Sequence, residues 1–216
     1  MFFDIFRILM NKRISIIGSG GFAKEVYWLL IEAGHGNLVD CFMEPEEYWQ
    51  EKEVLGLPVK KQSIFDPETN CAVIGIGDSK IREKIVYVQL PAETEYPVII
   101  HPSVRISKWV TIERGSVICA GNIITCDILI GEFATINLNC TIGHDTVIGR
   151  FFTANPGVNV SGLCKVGDFV YAGTNAAIRQ GVSISNDVII GMGAIVVKDI
   201  QISGMYIGNP AKLLTK

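Results

Sequence analysis

The sequence predicts two domains of different architecture, an α/β domain followed by a parallel β-helix. Residues 13–100 alternate between strand-like and helix-like segments. After His101 and Pro102, an aliphatic residue recurs at every sixth position. We therefore predict an N-terminal extension at 1–12, an α/β domain at 13–100, and a β-helix with a C-terminal tail at 101–216.

The first domain is predicted from strand and helix signals that follow one another along the chain. The predicted strands are RISIIG, NLVDCFM, CAVIGIG and YPVII, with a short one at VLGLPV. The first helix, FAKEVYWLLIEAG, ends at Gly34, a typical C-cap residue. SIFDPE is predicted as a single helical turn and SKIREKIVYVQ as a second helix. This alternation predicts a parallel sheet, which at roughly 90 residues is large enough to bind one mononucleotide.

The second domain is predicted from a repeat that keeps its register without insertion. Fourteen of its sixteen aliphatic positions hold Ile or Val, and two hold Ala. The positions are Ile106, Ile112, Ile118, Ile124, Ile130, Ile136, Ile142, Ile148, Ala154, Val160, Val166, Ala172, Ile178, Ile184, Ile190 and Val196. Such a fixed period predicts a triangular prism in which three hexads make one coil. Each aliphatic residue should point inward and stack on the aliphatic residue of the next coil.

Other hexad positions lead to further predictions. The residue two positions before each aliphatic should also point inward. Glycines follow the aliphatic residue in several hexads, where we expect tight corners that need a permissive backbone. These glycines are Gly131, Gly143, Gly149, Gly167, Gly173 and Gly191. Phe151 and Phe169 fall on outward positions that a monomer would leave in water, which favours an oligomer.

Composition excludes several classes of function. The net charge of −3 leaves no basic surface for nucleic acid, and no apolar run is long enough to span a membrane. The oily start MFFDIFRILMNKR is a poor signal peptide because Asp4 and Arg7 interrupt it. None of the six cysteines has a metal-ligand or C-x-x-C spacing, so reduced thiols are expected. We therefore predict a cytoplasmic protein.

From about residue 12 onward, the chain resembles the two-domain hexapeptide-repeat acyltransferases. These are the nucleotide-aminosugar N-acetyltransferases of bacteria and their sialic-acid O-acetyltransferase relatives. The resemblance is carried by IIGSGGFAKEV, VLGLPV, IGIGDSKIREKI, IHPSV, TIGHDTVIG, VIIGMGAIVVKDI and IGNPAKLL. It implies a Rossmann-like first domain that binds a nucleotide sugar, a left-handed parallel β-helix, a homotrimer, and acetyl-CoA as donor.

His144 is the predicted general base. It is the third residue of its hexad and stands at a corner, stacked between Cys126 and Gly162 of the neighbouring coils. Gly162 should leave a gap that admits a thioester carbonyl and should direct its N–H at the oxyanion. The pKa of an unperturbed histidine is about 6.5, which suits proton removal from an attacking amine. The resemblance matches its His-acid pair to His144 and Asp145.

The sequence leaves open which residues contact the acceptor substrate. Asp145 either orients the imidazole or contacts the acceptor. The family pattern also places Asn137 near the acceptor.

A metal-dependent hydratase would need three converging histidines, and His144 is the one histidine inside the predicted prism, so no metal is expected.

Acetyl-CoA is expected along an edge of small residues with two lysines near its phosphates. The predicted CoA-facing residues are Thr153, Ala172, Gly173, Thr174, Gly191, Ala194, Lys198 and Lys212. Small residues are also what tight coils require, so each of these is open to a structural interpretation. Thr153 occupies a position where relatives commonly have a second histidine.

The nucleotide is expected at two glycine-rich turns that end neighbouring strands. The predicted substrate-binding residues are Gly18, Ser19, Gly20, Gly21, Glu44, Gly77 and Asp78. Backbone N–H groups and a helix N-terminus there favour phosphate. An NAD site would also fit, with Asp40 or Glu44 on a ribose.

The chain departs from its relatives inside this site. Phe22 replaces a histidine of the glycine turn, and Glu44 with Pro45 replaces paired aspartates. These departures leave the base and the sugar of the acceptor open, and three functions are compatible with the sequence. The first is N-acetylation of a nucleotide-linked 4-amino-4,6-dideoxyhexose for surface glycans, the second O-acetylation of a sugar such as a sialic acid, and the third a non-catalytic nucleotide-sugar-binding trimer.

Overall fold

The structure is a computed structural model that describes residues 12–215, so most of the predicted extension at 1–12 lies outside the described residues. The chain divides after His101 into two compact units. Within the described residues, no helix is long and apolar enough to cross a membrane.

The first unit is a five-stranded sheet with helices. Its strands are β1 (Arg13–Ile17), β2 (Val39–Glu44), β3 (Glu53–Val54), β4 (Leu57–Lys61) and β5 (Asn70–Ile74), and β6 (Ile99–Ile100) ends the unit. Its helices are α1 (Gly21–Glu32) and α2 (Ser79–Lys84), and two 3₁₀ turns (Gly36–Leu38, Gln62–Ile64) and a π turn (Ile85–Gln89) complete it. The order is β3-β4-β2-β1-β5, with β1 parallel to both β2 and β5.

Local details of this unit differ from the sequence prediction. The VLGLPV segment is an antiparallel hairpin of β3 and β4, turned by Leu55 and Gly56, which both have positive φ. The second helix is α-helical only to Lys84 and then widens into the π turn. The parallel central strands are as predicted.

The second unit is a parallel β-helix with three flat sides. Its strands are β7 (Arg105–Ile106), β8 (Val110–Ile112), β9 (Val117–Ile118), β10 (Ile123–Ile124), β11 (Ile128–Ile130), β12 (Thr135–Ile136), β13 (Thr141–Ile142), β14 (Val147–Ile148), β15 (Thr153–Ala154), β16 (Asn159–Val160), β17 (Lys165–Val166), β18 (Tyr171–Ala172), β19 (Ala177–Ile178), β20 (Ser183–Ile184), β21 (Val188–Ile190), β22 (Ile195–Val196), β23 (Gly204–Ile207) and β24 (Lys212–Leu213). One side is β22-β19-β16-β13-β10-β7 and another is β20-β17-β14-β11-β8. The third contains β9, β12, β15, β18, β21 and β23, closed by antiparallel β24.

The hexad register predicted from the sequence is confirmed. Ile124 pairs with Ile142, and Ile142 pairs with Val160. The aliphatic positions from Ile112 to Val196 are buried. The residues two positions earlier are also buried from Ser116 onward, which gives the prism a filled interior.

The predicted reason for the glycines after the aliphatic residues was wrong. Their φ angles are not positive; the left-handed residue lies two positions later, as at Asp145 with φ 57°. These glycines are required because consecutive coils touch there. A Cβ on Gly143 would lie 2.4 Å from the backbone nitrogen of Gly162, and a Cβ on Gly131 would lie 2.7 Å from that of Arg150.

The prediction that Phe151 and Phe169 would face water in a single chain was also wrong. Together with Phe133 they form a ladder of parallel rings, with centroids 5.2 Å apart, along one corner. Phe151 is fully buried and Phe169 is 9% exposed. A left-handed conformation costs a non-glycine residue roughly 1–2 kcal/mol, which about 0.5–1.5 kcal/mol per stacked ring pair partly offsets. The ladder therefore stabilises the coil and says nothing about an oligomer.

Candidate active site

His144 stands at the corner that follows β13, with its side chain half exposed. Its Nδ1 lies 2.7 Å from Oδ2 of Asp145. Asp145 is held in the left-handed corner conformation, and its N–H donates to the carbonyl of Cys126 one coil earlier at 3.1 Å. A neutral imidazole that donates Nδ1–H to this carboxylate has its lone pair on Nε2. The contact therefore supports the predicted orienting role for Asp145 and makes Nε2 the basic atom.

The imidazole rests directly on Gly162 of the next coil. A Cβ on Gly162 would lie 2.7 Å from Nε2 and 2.8 Å from Cε1 of His144. The gap predicted at Gly162 exists, but the imidazole ring fills it instead of leaving it open for a thioester. The absence of a side chain at this position is what allows the base to adopt this orientation.

The N–H of Gly162 has no hydrogen-bond acceptor among residues 12–215, although the residue is buried. Its carbonyl is used, since it accepts from the N–H of Gly181 at 3.0 Å. An unsatisfied N–H is unusual at a buried position. Beside Nε2 of the predicted base, such a donor has the chemistry of an oxyanion site.

Asn137 lies at the preceding corner of the same coil. Its Oδ1 accepts from the N–H of Leu138 at 2.7 Å, and its carbonyl accepts from the side chain of Asn122 at 2.9 Å. These bonds fit a structural corner residue. Its predicted contact with the acceptor stays a prediction.

Several predicted CoA contacts are oriented inward or are required by coil packing. The side chains of Ala172 and Ala194 point into the prism and are fully buried, so they do not contact a ligand outside it. Thr153 is 3% exposed in the side formed by β12, β15 and β18. Gly173 and Gly191 have no room for a Cβ, which would lie 2.6 Å from the nitrogen of Met192 and 2.8 Å from a side-chain carbon of Ile207.

The remaining predicted CoA residues lie at the surface. Lys198 and Lys212 are exposed, and Thr174 is half buried. Lys198 stands at the same hexad position as His144, three coils later along the same corner. Lys212 follows Ala211, whose N–H donates to the carbonyl of Ile195 in the last coil. Both lysines are therefore at the C-terminal end of the prism.

The two glycine turns of the first unit meet at the carboxyl ends of β1 and β5. A Cβ on Gly18 would lie 2.6 Å from Cδ1 of Ile76, and the N–H of Gly75 donates to the carbonyl of Ile17 at 2.8 Å. The chain runs from β1 to one side of the sheet and returns to the other side at β5. This reversal is the topological switch point at which open α/β sheets bind ligands.

No side chain of the described residues caps the first turn of α1. Gly20 is the N-cap, has an ordinary φ of −76°, and receives no side-chain cap bond. Among residues 12–215, no atom lies within 4 Å of a Cβ position on Gly20 or Gly21. Packing within the described chain therefore does not require glycine at either position.

Two acidic residues of β2, Glu44 and Asp40, lie at different distances along the strand from this turn. Glu44 ends β2 beside the turn, where it accepts a hydrogen bond from the hydroxyl of Ser19 and pairs with Lys52 at 2.9 Å. Asp40 lies earlier in β2, bonded to Asn70 and Lys60. Of the two acidic residues considered for an NAD ribose, Glu44 is therefore the one at the end of the strand beside the turn.

Sequence reasoning missed Arg82, which shapes the second glycine turn. Its Nη1 donates to the carbonyls of Ile76 at 3.1 Å and Gly77 at 2.8 Å. Burial lowers the pKa of Arg82 to about 10, so it stays charged at neutral pH. Because a trans peptide points its C=O and N–H in opposite directions, the N–H groups of Gly77 and Asp78 are directed away from Arg82. The Oδ1 of Asp78 caps α2 by accepting from Lys80 and Ile81, which accounts for this residue without a ligand.

Burial keeps three of the thiols protonated, and none of the described residues form a metal centre. All six cysteines are unpaired. Burial raises the pKa of Cys41 and Cys71 to about 12 and that of Cys140 to about 11, so these thiols stay protonated at neutral pH. The described part of the chain contains no group of three His, Cys, Asp or Glu side chains placed to hold a metal ion.

Comparisons with known proteins agree with this architecture. The family described as PglD N-terminal domain matches residues 13–88. PerB from Caulobacter crescentus, solved in complex with CoA and GDP-perosamine, is 30% identical with a TM-score of 0.86, covering 94% of this chain and 97% of that chain. A mutant of perosamine N-acetyltransferase from Caulobacter crescentus, also with CoA and GDP-perosamine, is 29% identical with a TM-score of 0.87 over the same shares of 94% and 97%.

A third solved structure is the acetyltransferase domain of PglB from Neisseria gonorrhoeae FA1090 in complex with acetyl coenzyme A. It is 27% identical to this chain with a TM-score of 0.74, and the match covers 94% of this chain and 100% of that chain. A search of curated proteins gave no match. The similarity therefore extends over both units and rests on solved structures.

Proposed function

The chain belongs to the two-domain acyltransferases that join a Rossmann-like PglD N-terminal domain to a left-handed β-helix of hexapeptide repeats, and we propose that it N-acetylates a nucleotide-linked amino sugar. Acetyl-CoA is the donor, and the glycine turns of the first unit hold the nucleotide. The solved relatives bound to CoA, acetyl-CoA and GDP-perosamine support this assignment.

One observation carries the proposal. At a single corner, Nε2 of His144 lies beside Gly162, a buried residue whose N–H has no acceptor in the described chain. A base next to an oxyanion donor is what attack of an amine on a thioester requires. A scaffold that only bound nucleotide sugars would need neither.

The residues of this corner divide the chemistry between them. As the sugar amine attacks the carbonyl carbon of the donor, its proton passes to Nε2 of His144. The contact with Asp145 favours the imidazolium that forms. The N–H of Gly162 hydrogen-bonds the carbonyl oxygen as it becomes negative. When the C–S bond breaks, the proton on Nε2 passes to the departing thiolate, so the base returns to its neutral form.

A screen of amino sugars linked to UDP, dTDP, GDP or CMP tests this function by measuring release of the free thiol of CoA. We expect release with at least one of them and a product that resists hydroxylamine, because an amide resists it and an ester does not. A hydroxylamine-labile product would identify the enzyme as an O-acetyltransferase. No release with any acceptor would favour the non-catalytic trimer.

Gly20→Ala tests the nucleotide site of the first unit. We expect a severalfold or larger rise in the KM for the sugar nucleotide, because the added methyl group would hold the phosphates away from the N–H groups of α1. The KM for acetyl-CoA and the melting temperature should not change, since Gly20 has open space and an ordinary φ. Gly34→Ala, at a positive φ beyond the other end of α1, should lower the melting temperature and leave both KM values unchanged. Equal increases of both KM values for Gly20→Ala would contradict the assignment of this turn to the acceptor.

We also propose a homotrimer in the cytoplasm. Outward apolar side chains support an assembly: Leu129 and Val147 are neighbours in register on one side of the prism, at 38% and 45% exposed. Ile123 and Ile189 lie outward on the other two sides. Light scattering at micromolar concentration should give three times the 23.7 kDa mass of the chain. A single-chain mass would contradict the trimer.

A further inference from the structure

The corner that follows β14, β17 and β20 shows how a backbone N–H is satisfied at the hexad position occupied by His144 on its own corner. The N–H of Arg150 donates to Oδ1 of Asp168 at 3.0 Å. The N–H of Asp168 donates to Oδ1 of Asn186 at 2.8 Å. Each acceptor stands at the same position one coil later. A short oxygen-bearing side chain on the next coil therefore caps the N–H of the coil before it.

This cap has a steric requirement. A Cβ on Gly149, which precedes Arg150, would lie 2.6 Å from Oδ1 of Asp168. A Cβ on Gly167, which precedes Asp168, would lie 2.4 Å from Oδ1 of Asn186. These distances are shorter than a carbon and an oxygen can approach without a bond, so the capping oxygen occupies the place of a side chain, together with backbone atoms of the next coil that lie 2.6–2.8 Å from the same Cβ positions. This form of cap thus needs a glycine before the donor and a short acceptor one coil later, whereas the N–H of Glu132 at the same corner donates instead to Oε2 of Glu113 at 3.0 Å.

Neither requirement is met for the N–H of Gly162. Gly162 is preceded by Ser161, which has a Cβ. The register of Val160 with Ile178 places Gln180 at the capping position, and glutamine is one methylene longer than asparagine. The N–H of Gly162 accordingly has no acceptor within residues 12–215, and Gln180 is exposed.

We propose that Ser161 and Gln180 are positioning residues that keep the N–H of Gly162 uncapped for the acyl oxygen. Ser161 acts through its Cβ, which fills the place of a capping oxygen, and Gln180 acts through its length. The inference rests on the proposed acyl transfer. It explains why this corner lacks the arrangement found on the neighbouring corner, in which a glycine precedes the donor and Asp or Asn caps it from the next coil.

The experiment rebuilds the cap at the catalytic corner. Ser161→Gly combined with Gln180→Asn reproduces the surroundings of Gly167 and Asn186. We expect kcat to fall roughly 10²-fold, since loss of one oxyanion donor is worth about 10²–10³-fold. The KM for the acceptor and the Kd for CoA should stay within a few-fold of wild type. Ser161→Gly alone and Gln180→Asn alone should each keep kcat within a few-fold, because each meets one requirement only.

The matched control is Ser161→Ala combined with Gln180→Asn, which differs from the first pair by a single methyl group. It keeps the Cβ that excludes the capping oxygen, so kcat should stay near wild type. A readout independent of activity is the exchange of the Gly162 amide hydrogen, which should slow in the glycine pair and not in the alanine pair. A crystal structure of the glycine pair should place Oδ1 of the introduced asparagine within about 3.2 Å of the Gly162 nitrogen.

Several results would overturn the proposal. One is a glycine pair that forms the cap and keeps the wild-type kcat, because the N–H would then not serve the reaction. Another is an equal loss in both pairs, which would mean that Ser161 or Gln180 contacts substrate directly. A glycine pair that forms no cap, or that no longer binds CoA, would show that the neighbouring corner's geometry does not transfer. Failure of the proposed function itself would appear separately, as a wild type that releases no CoA or a His144→Ala variant with wild-type kcat.

Discussion

His144→Ala should lower kcat by roughly 10²–10⁴-fold, the usual contribution of a general base. Of the two imidazole nitrogens of His144, Nε2 is the one that can take the proton of the attacking amine, because Nδ1 is directed at Asp145. The half-exposed side chain contributes little to packing, so the melting temperature and the Kd for CoA should hardly change. The wild type should lose kcat/KM toward acid pH, since a protonated imidazole cannot accept a proton. The variant should lack this acid limb.

His35→Ala is the matched control for this experiment. His35 is the half-buried residue that precedes a 3₁₀ turn in the first unit, and no hydrogen bond of its side chain joins it to the described chain. Its removal should leave kcat unchanged. If His144→Ala mainly raised the KM for the acceptor and kept kcat within a few-fold, His144 would be a packing residue for the substrate and the base assignment would fail.

The hexad register was predictable because one physical rule repeats along the chain. Each inward position must fill the prism interior, so Ile or Val at a period of six is visible without any tertiary information. The pairing of His144 with Asp145 was predictable for a related reason. Neighbouring residues at a corner stay neighbours once the register is known.

Features set by contact between coils could not be predicted. Phe151 and Phe169 appeared outward because sequence periodicity does not show that a corner side chain can lie along the prism and stack on its own kind. The ladder begins where Gly115 leaves room, since a Cβ there would lie 2.3 Å from the ring of Phe133. Local propensity argues against phenylalanine at positive φ, so only the structure reveals this solution.

The state of the Gly162 gap was also hidden from the sequence. Stacking of His144 below Gly162 follows from the register, but the rotamer of the imidazole does not. In the structure the ring occupies the gap, which makes Gly162 necessary for placing the base as well as for its N–H. These two roles predict different results in combination with a histidine variant.

Gly162→Ala should therefore lower kcat by about 10²-fold or more, because the new methyl group would push the imidazole from its position and a shift of ~1 Å can cost that much. The melting temperature should fall only slightly, because the displaced ring is half exposed and can turn toward solvent. Ser161→Ala, a change at the adjacent residue that leaves the ring untouched, should retain kcat.

A double-mutant cycle with His144→Ala assigns the loss to one of the two roles of Gly162. If the methyl group acts by displacing the imidazole, Gly162→Ala should have little further effect once the ring is gone, and the two losses should be strongly non-additive. If it acts on the N–H, the losses should multiply, because alanine would disturb the oxyanion donor with or without the ring. The 2.7 Å contact with Nε2 predicts the first outcome. A Gly162→Ala variant with wild-type kcat would contradict the role of this glycine in placing the base, because the methyl group would then displace nothing that matters to the rate; the donor role would be unaffected, since alanine keeps the backbone N–H.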